Sequence, residues 1–129
     1  MNAQPATVPA PTPAALPAAA LVAAFRRALA MTASDGREAP AARAALRAAA
    51  EACRAPLAER WAATQAKDAA RGRDVRRVHY LSMEFLMGRA LRNALSALKL
   101  EPELAREIEQ RGLSLADVLE AEPDAALGN

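Results

Sequence analysis

The sequence RVHYLSMEFLMGR occupies residues 77–89 and is the densest run of large apolar side chains in the chain. It contains the only histidine, the only tyrosine, one of the two phenylalanines and two of the four methionines. One carboxylate, Glu84, lies in its middle. Because burying an unpaired charge is costly, this acid needs a partner, a helix end or a chemical role. Residues 78–82 predict a short buried strand, and the residues from Phe85 onward predict a helix. We therefore expect the strand-to-helix turn to form one wall of an active site whose other walls are missing.

The composition around this stretch predicts a chain with a thin core. Its 129 residues allow at most about one domain. Hydrophobic residues make up 53%, but aromatic residues make up only 3%, and alanine supplies much of the difference. Since alanine buries little area, a free-standing core would be small. Strong secondary structure combined with a thin core predicts a piece of a larger protein.

The charge pattern argues against a nucleic-acid-binding protein. The net charge is +2, and the basic residues, nearly all arginine, are interleaved with acids in the C-terminal half. Arg71, Arg73, Arg76 and Arg77 form a basic cluster before the central stretch. No aromatic residues are interleaved there for base stacking, which favours a solvated connector. A phosphate or an acidic partner remains the alternative for this cluster.

The cysteine content and the N-terminus predict a cytoplasmic protein without a membrane segment. Cys53 is the only cysteine, so no internal disulfide can form, as is typical of a reducing compartment. Its neighbours supply no base, which favours a packed or surface thiol over a nucleophile. Residues 14–25 imitate the apolar core of a signal peptide, but Arg26 and Arg27 follow it and no basic residue precedes it. That polarity is wrong for a secretory signal, and the run is too short for a membrane span.

Residues 1–17 form an Ala/Pro tract with five prolines. Prolines at this density block both helices and sheet ladders, which predicts a disordered or polyproline-like tail. A ligand for a proline-binding module is the alternative function for this tail. The remaining residues, 18–129, are expected to form one incomplete helical domain.

The first half of that domain predicts two or three helices. Leu21, Phe25 and Leu29 recur with helical spacing over residues 18–31. Pro40 suits the first turn of a second helix, which Pro56 is expected to kink or break.

The pattern resumes at Leu57 and Trp61, which share a face. Core packing is the expected role of Trp61, because it is the largest side chain in the chain.

The second half predicts short amphipathic helices. Their expected inward residues are Leu91, Leu95 and Leu98, followed by Leu104 and Ile108.

Two local signals bound the last of these helices. Gly112 is expected to end the helix that Pro102 starts. Ser114 with Asp117 resembles a capping box that opens a helix over residues 115–120. The expected fold is therefore mostly α, with about five helices and one short strand.

Several short motifs in the sequence resemble those of a known enzyme family. Residues 80–89, YLSMEFLMGR, resemble the Y-x-S-[LM]-E-F-x-x-G-R signature of the glycogen/maltodextrin (α-1,4-glucan) phosphorylase family. Residues 60–65, RWAATQ, resemble the R-W-x-x-T-Q motif of that family at close to the expected distance upstream. Residues 112–122 resemble the short helical segment before its glycine-rich loop, and residues 126–129 match the start of A-L-G-N-G-G-L-G-R. Three motifs in order are a much stronger signal than any one of them.

The resemblance covers residues 57–129 well and residues 18–56 only loosely. It implies transfer of a glucosyl unit from an α-1,4-glucan to inorganic phosphate, which gives glucose 1-phosphate. It also implies a bacterial-type homodimer of two large α/β domains around a deep cleft. Pyridoxal phosphate is the implied cofactor, and its own phosphate takes part in proton transfer. The cofactor lysine would lie beyond residue 129, so this chain would be an N-terminal fragment with one strand.

The resemblance also implies roles for single residues. Glu84 corresponds to an acid that lines the catalytic cleft, although a structural carboxylate at a helix N-terminus fits it equally well. Leu86 stands where animal enzymes place a tyrosine near the cofactor, so only apolar packing is expected there. Gly128 and Asn129 begin the glycine loop that approaches the cofactor and the substrate phosphate, and backbone N–H groups of such loops favour anions. Arg89 is expected to order the fold.

Regulation is expected to differ from that of the animal enzymes. Gln65 is followed by residues 66–69 without an aromatic side chain, and the Ala/Pro tail lacks a basic phosphorylatable segment. We therefore expect neither AMP activation nor phosphorylation control, while residues 35–43 fall at a dimer-contact loop of the family. The isolated chain is expected to be inactive and to bind no cofactor. The alternative function is a small helical interaction or regulatory module without catalysis.

Overall fold

The computed structural model describes residues 18–34, 40–83 and 88–124. Within these ranges the chain forms five α-helices and one short 3₁₀ turn. They are α1 (Ala18–Ser34), α2 (Ala41–Arg71), the 3₁₀ turn (Gly72–Asp74), α3 (Leu91–Leu98), α4 (Glu101–Glu109) and α5 (Leu115–Glu120). The expectation of a mostly helical chain with about five helices is confirmed. Of the helices in these ranges, none has both the length and the apolar character needed to cross a membrane.

Helices α1 and α2 pack against each other most extensively and form the base of the core. Leu21 and Phe25 of α1 are buried, and Leu29 is half-buried, as their spacing predicts. The facing part of α2 is rich in alanine, which lets the two backbones approach closely. Its buried positions end at Pro56, but the helix continues to Arg71. Proline removes one backbone hydrogen bond, which kinks or breaks many helices; here it does not end the helix.

The three short helices close the other side of this core. The buried residues of these three helices and of the turn between α3 and α4 are Leu91, Leu95, Leu98, Leu100, Leu104, Ile108, Val118 and Leu119. The chain reverses between α3 and α4 at Lys99, which has φ 59 and ψ 40. There Leu100 N–H donates to the Leu95 carbonyl at 3.1 Å, a Schellman-type ending.

The predicted capping signal before α5 is also found. The Ser114 hydroxyl accepts a hydrogen bond from the Asp117 N–H at 3.0 Å. This bond satisfies one of the backbone donors that the first turn of a helix leaves unpaired. The boundaries of α5, residues 115–120, are those that the sequence predicts.

The predicted strand at residues 78–82 is wrong: the described part of the chain contains no strand. Val78 and Leu81 are almost fully exposed, and Tyr80 and Met83 are exposed as well. A strand gains its backbone hydrogen bonds and its apolar contacts from a neighbouring strand. The described helices offer no such partner, so the β-forming side chains of this segment do not make a strand.

The predicted helix start at Phe85 lies outside the described residues, and α3 begins at Leu91. Residues 88–90 are not helical, and Gly88 has φ 62. A right-handed helix cannot pass through this left-handed conformation, so α3 begins after it. Residues 84–87, which include Glu84, lie outside the described residues.

The core role predicted for Trp61 is also wrong. Its exposed fraction is 67%, and that of Leu57 is 37%. Both residues lie on the part of α2 that follows Pro56, where no α2 residue is buried. The spacing of apolar residues and the size of their side chains identify the apolar face of a helix. They do not show whether a neighbouring element covers that face.

Candidate functional site

The stretch 77–89 is held at both ends to other parts of the chain. At its start, Arg77 Nη2 donates to Gln65 Oε1 at 3.4 Å and lies 4.0 Å from Asp68 Oδ2. These contacts place the start of the stretch beside the R-W-x-x-T-Q segment of α2. Arg77 is largely exposed, so each contact is weak in energy. They nevertheless bring Arg77, three residues before the 80–89 motif, next to the R-W-x-x-T-Q segment.

At the other end, Glu122 holds the beginning of α3. Glu122 Oε1 accepts a hydrogen bond from Ala90 N–H at 2.9 Å, and both carboxylate oxygens lie within 3.2 Å of Leu91 N. The first N–H groups of a helix have no partner within the helix, and a carboxylate there is favoured by the helix dipole. Ala90 has no polar side chain of its own to accept these bonds. Glu122 therefore supplies the cap from 32 residues downstream.

A second contact lies beside this cap. Arg89 Nη1 and Glu120 Oε2 form an ion pair at 2.8 Å, which agrees with the expectation that Arg89 orders the fold. Both side chains are largely exposed, so the pair contributes little stability on its own. We name the contact of residues 89–91 with Glu120 and Glu122 the junction.

A cleft of about 210 Å³ opens at the junction. Its lining residues are Arg89, Arg92, Asn93, Ala116, Leu119, Glu120 and Glu122. Two arginines face two glutamates across an apolar floor, so neither sign of charge dominates the cleft. These contacts connect the chain before α3 to the end of α5.

The predicted site residues lie next to the junction in the sequence but outside the described residues. Glu84 and Leu86 precede Gly88 by a few residues, and Gly128 and Asn129 follow Glu122 by a few residues. Their roles therefore remain predictions. The described structure brings together the chain segments from which these residues extend.

Arg60 of the R-W-x-x-T-Q segment contacts the opposite end of α3. Its Nη1 donates to the Ala97 carbonyl at 2.8 Å, and the Thr64 hydroxyl donates to the Arg60 carbonyl at 3.0 Å. The last carbonyls of a helix have no partner within it, and a cation there is favoured by the helix dipole. Helix α3 thus has an anion at its N-terminus and a cation at its C-terminus, both supplied by distant residues.

Glu120 and Glu122 are the residues that the sequence analysis missed. Both lie in an acidic segment before the predicted start of the glycine loop, and acids in such segments are usually solvated. One signal was available: the turn before α3 ends in Arg89-Ala90, which offers no side-chain acceptor for the helix N-terminus. A missing local cap predicts a distant one, but it does not say which acid supplies it.

The described residues do not form a pyridoxal phosphate site. That cofactor is held through a lysine, and the chain has two, Lys67 and Lys99. Both are exposed on the helical surface. Neither lines the cleft at the junction.

Cys53 is packed in the core, which agrees with one of the two roles expected for it. Burial raises the pKa of its thiol to about 11, so the thiol is protonated and inert at neutral pH. Within the described ranges, no group of three or more His, Cys, Asp or Glu side chains is placed to hold a metal ion.

Comparison with known proteins identifies relatives of one kind. No family model matches the chain. It is 46% identical to glycogen phosphorylase of Saccharomyces cerevisiae over an 82-residue alignment that covers 54% of this chain and 9% of that protein. It is 54% identical to the chloroplastic/amyloplastic α-1,4 glucan phosphorylase L-2 isozyme of Solanum tuberosum, over 43% of this chain and 6% of that protein. For the brain form of glycogen phosphorylase of Bos taurus the identity is 44%, over 57% of this chain and 8% of that protein. The chain therefore spans less than a tenth of the length of these relatives.

Proposed function

We propose that this chain is part of a glucan phosphorylase, which transfers glucosyl units from α-1,4-glucans to inorganic phosphate and releases glucose 1-phosphate. The observation that carries the proposal is the identity of 42–54% to curated glycogen and α-glucan phosphorylases over about half of the chain. The three phosphorylase-like motifs support it. The contacts of Arg77 with Gln65 and of Ala90 with Glu122 connect segments that adjoin these motifs in the sequence.

The exposed surface supports the proposal that the chain is only part of such an enzyme. We name as the apolar surface a group of large exposed side chains on α2 and the following segment. They are Leu57, Trp61, Val78, Tyr80, Leu81 and Met83. Tyr80, Leu81 and Met83 line one surface cleft together, and large exposed apolar patches usually mark contacts with other protein segments. In the proposed enzyme the remaining domains cover this surface, and residues 18–129 form a helical subregion of an incomplete domain.

The finer parts of the proposal come from the family resemblance. The proposed enzyme is a cytoplasmic homodimer without AMP or phosphorylation control. The predicted Ala/Pro tail, residues 1–17, lies outside the described residues. Its pyridoxal phosphate is held by a lysine outside these 129 residues, which agrees with the exposure of Lys67 and Lys99. Glu84 is its cleft-lining acid. Gly128 and Asn129 begin its phosphate-binding glycine loop, and Leu86 packs near the cofactor.

A chimera tests this proposal. The full chain replaces the matched region of the yeast relative, and glucose 1-phosphate release from maltodextrin and phosphate is measured. We expect the chimera to be active, and we expect a control without the matched region to be inactive. The purified 129-residue chain alone is expected to show no turnover. A folded, dimeric chimera without activity would count against the proposed function, and turnover by the isolated chain would contradict the expectation that it is inactive.

A small helical interaction module remains the second candidate, because the five helices enclose a closed core. Phe25, Leu95, Leu104, Ile108 and Val118 are fully buried among the described residues. This core predicts that the helical body can unfold cooperatively in isolation under either function. Activity of the chimera is therefore the discriminating observation, since a segment with an unrelated binding role would not restore phosphorolysis.

A further inference from the structure

We propose that Glu122 is a positioning residue for phosphorolysis, acting as a cap that holds the two motif-bearing segments at a fixed spacing. The inference rests on the proposed function. One segment runs from residue 88 back toward Glu84, and the other runs from Glu122 forward toward Asn129. Glu122 itself touches neither substrate nor cofactor in this proposal. Its role is to fix where both segments leave the helical body.

The geometry makes Glu122 suited to this role. Its carboxylate reaches the backbone N–H groups of Ala90 and Leu91 at 2.9 to 3.2 Å. Charge-assisted hydrogen bonds to backbone are stronger than neutral ones, and they fix the main chain itself. Glu122 thus satisfies two of the four N–H groups that the start of α3 leaves without a partner within the helix.

The two sides of this contact are anchored separately in the core. Leu91 and Leu95 of α3 are buried, and so are Val118 and Leu119 of α5. The cap therefore joins the ends of two helices whose bodies are packed in the core: Leu91 itself is buried, and Glu122 lies three residues after the buried Leu119. A movement of one segment against the other must break the Glu122 hydrogen bonds.

The neighbouring ion pair cannot replace this contact. Arg89 and Glu120 are 45% and 73% exposed, and both side chains are long and flexible. Exposed pairs of this kind contribute about 0–1 kcal/mol and tolerate large changes of backbone spacing. The backbone-directed bonds of Glu122 constrain the spacing much more closely. We therefore expect the positioning effect to follow Glu122 and not Glu120.

Loss of the cap should affect catalysis more than global stability. Enzyme rates are sensitive to misplacement of groups by about 1 Å, even when the displaced residue lies far from the chemistry. Glu122→Ala should lower kcat/KM for phosphate, by up to about 100-fold, which is the loss that a displacement of about 1 Å can cause. Glu122→Gln should retain most of the activity, because its amide oxygen can still accept from both N–H groups as Oε1 does, although the charge and the second acceptor oxygen are lost. Glu122→Asp should show an intermediate loss, because its side chain is one methylene group shorter and holds the carboxylate farther from the N–H groups of residues 90 and 91.

The test measures kcat and KM for phosphate separately in the chimera described above. The variants are Glu122→Ala, Glu122→Gln and Glu122→Asp, with Glu109→Ala as the control, since Glu109 is an exposed acid on α4. Amide hydrogen exchange at residues 90 and 91 is measured in parallel in the 129-residue chain. Faster exchange in the alanine variant, with loss of kcat/KM and recovery in the glutamine variant, is the expected result.

The outcomes separate the two proposals. If the parent chimera is folded but inactive, the proposed function fails, while the exchange data still report whether the cap exists. If the parent chimera is active and Glu122→Ala leaves both kinetic constants unchanged, the positioning role is overturned. Should the alanine variant not fold, Glu122→Asp and Glu122→Gln decide the question, and equal kinetics in both would overturn the proposal.

Discussion

Arg26 and Glu107 form a two-bond ion pair that joins α1 to α4. Arg26 Nε donates to Glu107 Oε1 at 2.7 Å, and Arg26 Nη2 donates to Oε2 at 2.9 Å. The Glu107 side chain is 5% exposed, and it is the buried charged residue of the described core. Arg111 also donates to this carboxylate and lies 5.6 Å from the centroid of the Phe25 ring. Two arginines thus contact one carboxylate where α1 meets α4, and one of them, Arg111, lies over the Phe25 ring.

This pair predicts a loss of stability in acid. The hydrogen bonds from Arg26 hold the pKa of Glu107 at about 2, below its ordinary value of 4.5; burial opposes this shift and Arg111 adds to it. The unfolded chain therefore binds this proton more readily than the folded chain does. The stability from the pair is fully present above pH 4.5 and is lost as the pH falls toward 2. Glu107→Gln should lower stability near neutral pH by about 1–3 kcal/mol, because charged hydrogen bonds are lost.

Thermal unfolding followed by circular dichroism from pH 7 to pH 2 tests this prediction. The Tm of the wild-type chain should fall more steeply with acid than that of Glu107→Gln, so the two curves should converge at low pH. Glu109→Gln is the control, since Glu109 is exposed on the same helix. Parallel curves for the wild-type chain and Glu107→Gln would contradict the assigned role of the pair.

Sequence reasoning predicted the helices because their signals are local. Leu91, Leu95 and Leu98 recur with the period of a helix, and all three are buried. The Ser114 cap was found because its acceptor and donor lie three residues apart. The Glu107 ion pair was not found, since its partner Arg26 lies 81 residues away and only tertiary packing brings them together.

The same limit explains the errors and the missed part of the site. A strand at residues 78–82 depends on a neighbouring strand, and a core role for Trp61 depends on an element that covers α2. Neither requirement can be read from the segment itself, however apolar it is. The cap by Glu122 was missed for the related reason that its donors, at residues 90 and 91, lie about 30 residues away.

Truncation of two leucines should distinguish the core from the apolar surface. Leu95 of α3 is fully buried, whereas Leu57 is 37% exposed on the part of α2 that follows Pro56. Leu95→Ala should cost about 2–5 kcal/mol, because it removes buried methyl groups and leaves a cavity. Leu57→Ala, the chemically identical change, should cost much less, about 1 kcal/mol at most in this chain. Urea unfolding monitored by circular dichroism measures both, and equal losses would place Leu57 in the core as well.

Two lysine substitutions should have effects of opposite sign. Lys99 adopts φ 59 at the reversal after α3, a conformation that costs a non-glycine residue about 1–2 kcal/mol. Lys99→Gly should relieve part of this strain and raise stability by about 0.5–1 kcal/mol. Lys67→Gly lies inside α2 and should lower helix stability by about 1 kcal/mol. Urea midpoints of the two variants provide the comparison, and a destabilised Lys99→Gly would show that the reversal is not strained.

Trp61 offers a direct test of whether another part of an enzyme covers the apolar surface. It is the only tryptophan of the chain and is 67% exposed. Its fluorescence in the isolated chain should be red-shifted, open to acrylamide quenching and little changed by unfolding, because water already surrounds the ring. Trp61→Ala should therefore alter the stability of the isolated chain by only about 0.5 kcal/mol. In the chimera the same substitution should lower the Tm clearly, since large aromatic side chains dominate the energetics of covered interfaces.

Phe25→Ala, which removes a buried ring, should destabilise both proteins and serves as the control. An equal, small effect of Trp61→Ala in both proteins would mean that the surface stays open to solvent, and a blue-shifted emission from the isolated chain would mean that it is already covered there.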